Sequence, residues 1–193
     1  AVSAVEVTSD TRAEIARVDL VAGGSLTVTA TRIADANTQA GAINASLLAG
    51  VGGSVDYVTI AGTTQARLSD STAQVTSDTL IQATSHARIV GRSATAGAGG
   101  IASVVGASSV HLIETRTEAY LDGGDAAVVL NPTTASGQDV TIRAVDHAAI
   151  DGLAGSLSAS LGAGVGGSIH VAALRTAAAA WVGTNSQVQA GGN

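Results

Sequence analysis

The chain contains no cysteine, no phenylalanine, no methionine and no lysine, and among 193 residues it has one proline and three aromatic side chains. Each absence removes something. Without cysteine there is no disulfide framework and no thiolate metal centre. Without the large side chains that fill irregular gaps, an ordinary globular core is hard to pack, and thin regular layers of small residues are favoured instead. All nine basic residues are arginines, outnumbered by 15 acidic ones, and the net charge of −6 argues against a nucleic-acid surface. No apolar run reaches membrane-spanning length, so no membrane span is expected. Only 12% of residues are charged and the mean hydropathy is +0.36, which argues against disorder.

What the chain has is repetition and 24 glycines. Four segments align without gaps: "AVSAVEVTSDTRAEI" from Ala1, "SVDYVTIAGTTQARL" from Ser54, "ASSVHLIETRTEAYL" from Ala107 and "SIHVAALRTAAAAWV" from Ser168. The first two steps between these starts are equal, and the third is longer by eight. A second set of anchors, Ala30, Ala83 and Ala144, precedes Leu68, Leu121 and Val182 by one and the same interval. The extra length of the long unit therefore falls in "DGGDAAVVLNPTTASGQD", read as one inserted surface loop around Pro132. The chain divides into a partial unit 1–24, units 25–78 and 79–139, and a last unit 140–193, one continuous array that starts and stops in mid-repeat and reads as a piece of a longer one.

Within each unit the dominant period is two. Alternate residues from Ala45 to Tyr57, from Ala98 to Val110 and from Ala159 to Val171 are identical in all three copies at four of seven positions. The intervening positions, such as Ser46, Gly50, Gly52 and Ser54, are small or polar. Such alternation predicts strands. The expected fold is an all-β, repetitive β-solenoid, a large-coil parallel β-helix-like stack with units of about 53–61 residues and in-register neighbours. Strands are expected near unit positions 25–32, 43–61 and 63–75. A helix over "RIADANTQAGAINASLLAG" and two rungs per unit are the alternatives. The apolar alternate face, including Gly53, Gly106 and Gly167, is expected to face the core. The Ser46–Gly50–Gly52–Ser54 face is expected to be covered by another part of the coil or another chain.

Chemically capable residues are few. His86 and His147 share a unit position and would stack; an imidazole pair could take zinc or copper, but a closed site wants four ligands, and a hydrogen-bonded surface ladder is the simpler expectation for the histidines. Asp122, Asp125 and Asp139 flank the insertion and could hold calcium, although aspartate is also common in turns. No resident cofactor is expected. No nucleophile–base set or phosphate loop stands out, so the chain is not expected to be an enzyme. Glu14, Arg67, Tyr120 and Trp181 share one outward position. They predict a column of ion pair, cation–π contact and ring stack, in which Tyr120 and Trp181 could also serve as a platform for a sugar.

In "GVGGSVDYVTIAGTTQARL", "GVGGSIHVAALRTAAAAWV" and the V-x-V-x-A strand that follows, the chain resembles the repeat regions of large secreted bacterial adhesins of the filamentous leukotoxin-type and filamentous-haemagglutinin-like group. The resemblance implies a β-solenoid at the bacterial cell surface or outside the cell, exported by a two-partner or autotransporter route and serving adhesion, biofilm or filament formation. The partners it implies are neighbouring repeats, identical chains in a fibre, and host or matrix glycans. "SVDYV" and "SIHVA" stand where that group commonly has an asparagine after the glycine strand.

Overall fold

A computed structural model describes residues 1–124, 128–130 and 138–191. The chain is an all-β solenoid with one rung per unit, and no helix occurs among the described residues. A first parallel sheet stacks β1 (Val2–Thr8) and β2 (Thr11–Ala16) on β5 (Ala49–Ser69), then β8 (Ala102–Asp122) and β11 (Ala163–Val182). A second stacks β4 (Leu26–Ser46), β7 (Thr79–Gly99) and β10 (Val140–Ser160). A third, of short strands, stacks β3 (Asp19–Ala22), β6 (Thr72–Val75), β9 (Val128–Leu130) and β12 (Ser186–Val188). Six of these strands run 20 or 21 residues, about 65–70 Å.

Each rung is thus a blade. Two long strands lie against each other and turn sharply at a tip (Leu47–Leu48 in the first full rung), while the short third strand closes the opposite end, the head. The register is that of the repeat: Ala49 pairs with Ala102 and Ala102 with Ala163. The segment from Arg32 onward that could have been helical is the second half of β4, alternating buried and exposed up to Ala40. The strand boundaries differ from expectation. A turn at residues 47–48 splits the stretch read as one strand over 43–61; the strand before it runs on from the one expected at 25–32, and the one after it continues into the stretch expected at 63–75.

The insertion is divided rather than single. Leu68 pairs with Leu121, Thr72 with Val129 and Thr79 with Val140, and the interval between partners grows by four at each of these two steps. Half of the extra length therefore precedes β9 in the chain and half follows it. Pro132 lies outside the described residues. Each corner between the first and third sheets turns on one residue in the left-handed region: Arg17, Asp70, Gly124 and Asn185.

The interior is layered. At the head, Leu26, Val28, Leu68, Ile81, Leu121 and Leu130 belong to an aliphatic cluster where the three sheets meet. A polar layer follows, holding the buried Arg32 and Ser85. Arg32 donates from Nη2 to the Ala61 carbonyl (2.8 Å) beside Gly62, whose φ of 150° and lack of a Cβ let the Ser9 carbonyl approach. Beyond it Val58, Ile60, Ile89 and Ile113 make a second aliphatic cluster. Nearer the tip the interior becomes polar and small: Ser54 bonds both Ser93 (2.9 Å) and Thr95 (2.7 Å) across the two sheets.

This last layer reverses one expectation. Gly53 is exposed, and the apolar alternate face to which it, Gly106 and Gly167 belong points outward, with Val51 74% exposed. The side that faces inward is the small one, including Gly50, Ser54 and Asp56, and the opposing strand of the same coil covers it. A blade this thin at the tip has room inside for Ser, Thr and Gly but not for rows of valine.

Candidate functional site

Two constellations recur along the stack, one outside and one inside. The outer one is the column predicted from the repeat. Strand pairing sets Glu14 beside Arg67, Arg67 beside Tyr120 and Tyr120 beside Trp181. Arg67 donates to the Glu14 carboxylate, which Arg12 also meets at 2.9 Å. The Tyr120 and Trp181 rings stack with centroids 4.4 Å apart and planes within 5°. One member differs from expectation: the Arg67–Tyr120 contact is a hydrogen bond from Nη1 to the phenol oxygen (3.2 Å) and not a cation–π contact, because the guanidinium reaches the ring's hydroxyl end. Two positions earlier, Gln65 donates to Glu118 (2.8 Å), and Arg116 pairs with the same carboxylate. Stacking leaves Tyr120, covered by the rungs on either side, 8% exposed.

The inner constellation lies between the second aliphatic cluster and the tip. Asp56, Ser109 and His170 form one inward column of the first sheet, with His111 two residues beyond Ser109. His111 Nε2 lies 3.0 Å from Asp56 Oδ2 and 2.9 Å from Ser109 Oγ, and Thr38 donates to the same Asp56 oxygen at 2.8 Å. His170 Nδ1 reaches Ser109 Oγ at 3.3 Å. Space for the His111 ring comes from Gly91 on the opposing strand, where a Cβ would overlap the imidazole. Asp56 and His111 have no exposed surface. A serine, a histidine and an aspartate within hydrogen-bond reach invite comparison with a hydrolytic triad, but the arrangement is unsuitable. A triad histidine takes the serine proton on one nitrogen and is held by the carboxylate through the other; here both partners meet Nε2, and no substrate can enter. The column is a structural polar zipper.

The histidines therefore do not form one surface ladder. His111 is core. His86 and His147 are exposed and stack with centroids 4.8 Å apart and planes 18° apart, one rung spacing, without a hydrogen bond between them. They line a shallow depression with Asp35, Arg88 and Asp146, but Asp146 belongs to the inward side of β10 and accepts a hydrogen bond from Thr117 at 2.9 Å. Among the described residues no three histidine or carboxylate groups gather as a metal site. Of the calcium candidates, Asp122 ends β8 and accepts from the Gly124 amide (3.3 Å), whereas Asp139 immediately precedes β10 at the other corner of the head. The Asp139 amide donates to Asp78 Oδ1 at 3.0 Å, and Asp125 lies outside the described residues.

Sequence reasoning missed the Asp56–His111–Ser109 zipper. Its signal was present in two places: Asp56 and His170 at one unit position, and a glycine in "VGR" and "DGL" at the position that Thr38 holds in the first rung. Reading it required knowing which strand lies opposite. Comparison with protein-family models, with characterised proteins and with solved structures finds no match, so the functional reading rests on this chain's own residues.

Proposed function

We propose that this chain is a structural repeat segment of an extracellular bacterial adhesin or fibre, which displays a patterned surface and catalyses nothing. The observation that carries the reading is the register: each long strand sits directly on its repeat equivalent along its whole length, so outward side chains form continuous ladders along a rod. The Glu14–Arg67–Tyr120–Trp181 column is such a ladder, and its members stabilise one another rather than converging on a reacting atom. The resemblance to adhesin repeats points the same way. Antibodies against the folded chain should label intact cells of the source bacterium, and label them less after brief external proteolysis. Signal only after lysis removes the reading.

A second reading, a glycan-binding module, is favoured by the stacked aromatic pair on the outer face of the first sheet. Trp181 stacks on Tyr120 with centroids 4.4 Å apart. Flat apolar ring faces are suited to the C–H faces of sugars. Glycan-array binding that disappears in Trp181→Ala, with the circular dichroism of the folded chain retained, supports it; no glycan bound by the unaltered chain discards it.

A further inference from the structure

The outer face of the first sheet near the tip carries an apolar pattern that the solenoid itself does not need. Val51, Val104 and Val165 stack in one column and Gly53, Gly106 and Gly167 in the next. The valine ridge is solvent-exposed on every rung, and the glycine column forms the floor of a depression of about 580 Å³ beside it. Glycine weakens a strand interior and is normally explained there by a close neighbour. Several other strand glycines of this chain have one: a Cβ on Gly97 would strike Val105, and one on Gly99 the Ala102 carbonyl. The groove glycines do not. A Cβ at Gly53 or Gly106 would come no nearer than 3.8 Å to any neighbour, and at Gly167 it would meet nothing. Whatever these glycines accommodate lies outside the rung.

We propose that this face pairs with the same face of a second copy of the chain, about a two-fold axis that runs along the stacking direction between the valine and glycine columns. That operation places each copy's valine ridge in the other's glycine groove. It also sets the Ala49 column against the column of Val55, Ser108 and Ile169, and Leu47 near Tyr57. The closed two-fold arrangement keeps both rods pointing the same way, so the pairing continues with every added rung. A second copy is favoured over other occupants because it brings, at the common rung spacing of about 4.8 Å, the complementary order of valine and glycine columns on every rung. Sheets packed by interdigitation use the same fit of identical side chains. A lipid surface has no use for a groove. The columns from Ala49 to Tyr57 span about 26–30 Å across three rungs of about 14 Å. A pair of these chains therefore buries on the order of 800–1,000 Å² in total, the weak end of specific interfaces, and each further rung adds to it. The inference deepens the fibre reading and rests on it only for its purpose: failed pairing would leave surface labelling intact.

Sedimentation of the purified chain across rising concentration, to about 1 mM, is the test, since weak specific complexes populate in that range. A monomer–dimer equilibrium that stops at twice 18.6 kDa is expected. Gly106→Val and Val104→Asp should each remain monomeric while keeping the parent's circular dichroism and melting temperature. Oxidising a mixture of Val104→Cys and Gly106→Cys chains, in a protein without other cysteines, should give mainly mixed dimers. A parent that stays monomeric throughout overturns the proposal. So do open-ended filaments that Gly106→Val leaves untouched, which would place association at the rod ends, and so does a monomer that co-sediments with phosphatidylcholine vesicles, which would assign the face to lipid.

Discussion

The head and the tip of the blade are built from the same strands with opposite polarity. At the head the inward positions are aliphatic, with Leu68, Ile81, Leu121 and Leu130 wholly buried, and the outward positions carry Glu14, Arg67, Gln65 and Glu118. At the tip the inward positions include Ser54, Ser93, Thr95, Ser103 and a lone Val105, and the outward ones include Ile43, Leu47, Val51 and Leu161, with Leu47 93% exposed. The head follows the usual rule that apolar groups leave water. The tip does not, because the two sheets lie so close there that a branched chain such as Val105 fits opposite a glycine, Gly97, and hydrogen-bonded hydroxyls fill much of the rest. Alternation along a strand therefore establishes that there are two faces; it does not say which one is inside.

Substitutions can break this comparison, and the largest effect belongs to the head. Leu121→Ala, at a fully buried site in the middle of the stack, should cost about 2–5 kcal/mol by urea denaturation, whereas Val51→Ala at the tip should stay within about 0.5 kcal/mol. Equal losses at the two sites would show that the tip face is covered in the monomer. Next in size is Gly91→Val, which drives a side chain into the buried His111 ring; a loss of about 1–3 kcal/mol or more is expected from overpacking. That penalty should shrink when His111→Ala is added, and a double-mutant cycle showing no coupling would contradict the inner zipper. The outer column contributes less. Trp181→Ala should remove about 0.5–1.5 kcal/mol of ring stacking. Glu14→Ala, in a part-exposed ion pair, should remove about 0–1 kcal/mol, and less in high salt. A larger loss for Glu14→Ala than for Trp181→Ala would mean that the charges, and not the rings, hold the column.

Much of this was legible in the residues. The constant interval from Ala30 to Leu68 and from Ala83 to Leu121 required in-register stacking, and the observed strand pairing keeps it. It also placed Glu14, Arg67, Tyr120 and Trp181 in one column before any strand was assigned. The inner site was not legible, because Asp56 and His111 are joined to Thr38 and Gly91 across the blade, between strands whose opposition no repeat spacing specifies. The insertion was located as a segment but not as two parts. Its division depends on β9 pairing with β6 partway through the lengthening, and so short a strand leaves little mark in the sequence.

The sequence by itself determined the period, the strand character and the identity of every ladder, since like residues at a fixed interval align in a parallel stack whatever the cross-section. Only the tertiary structure decided where the rung turns, which strand faces which, and that the glycine–valine face looks outward. Those choices depend on the distance between two sheets. Backbone hydrogen bonding sets the spacing between rungs for any sequence, whereas the gap between sheets follows from whatever side chains meet across it.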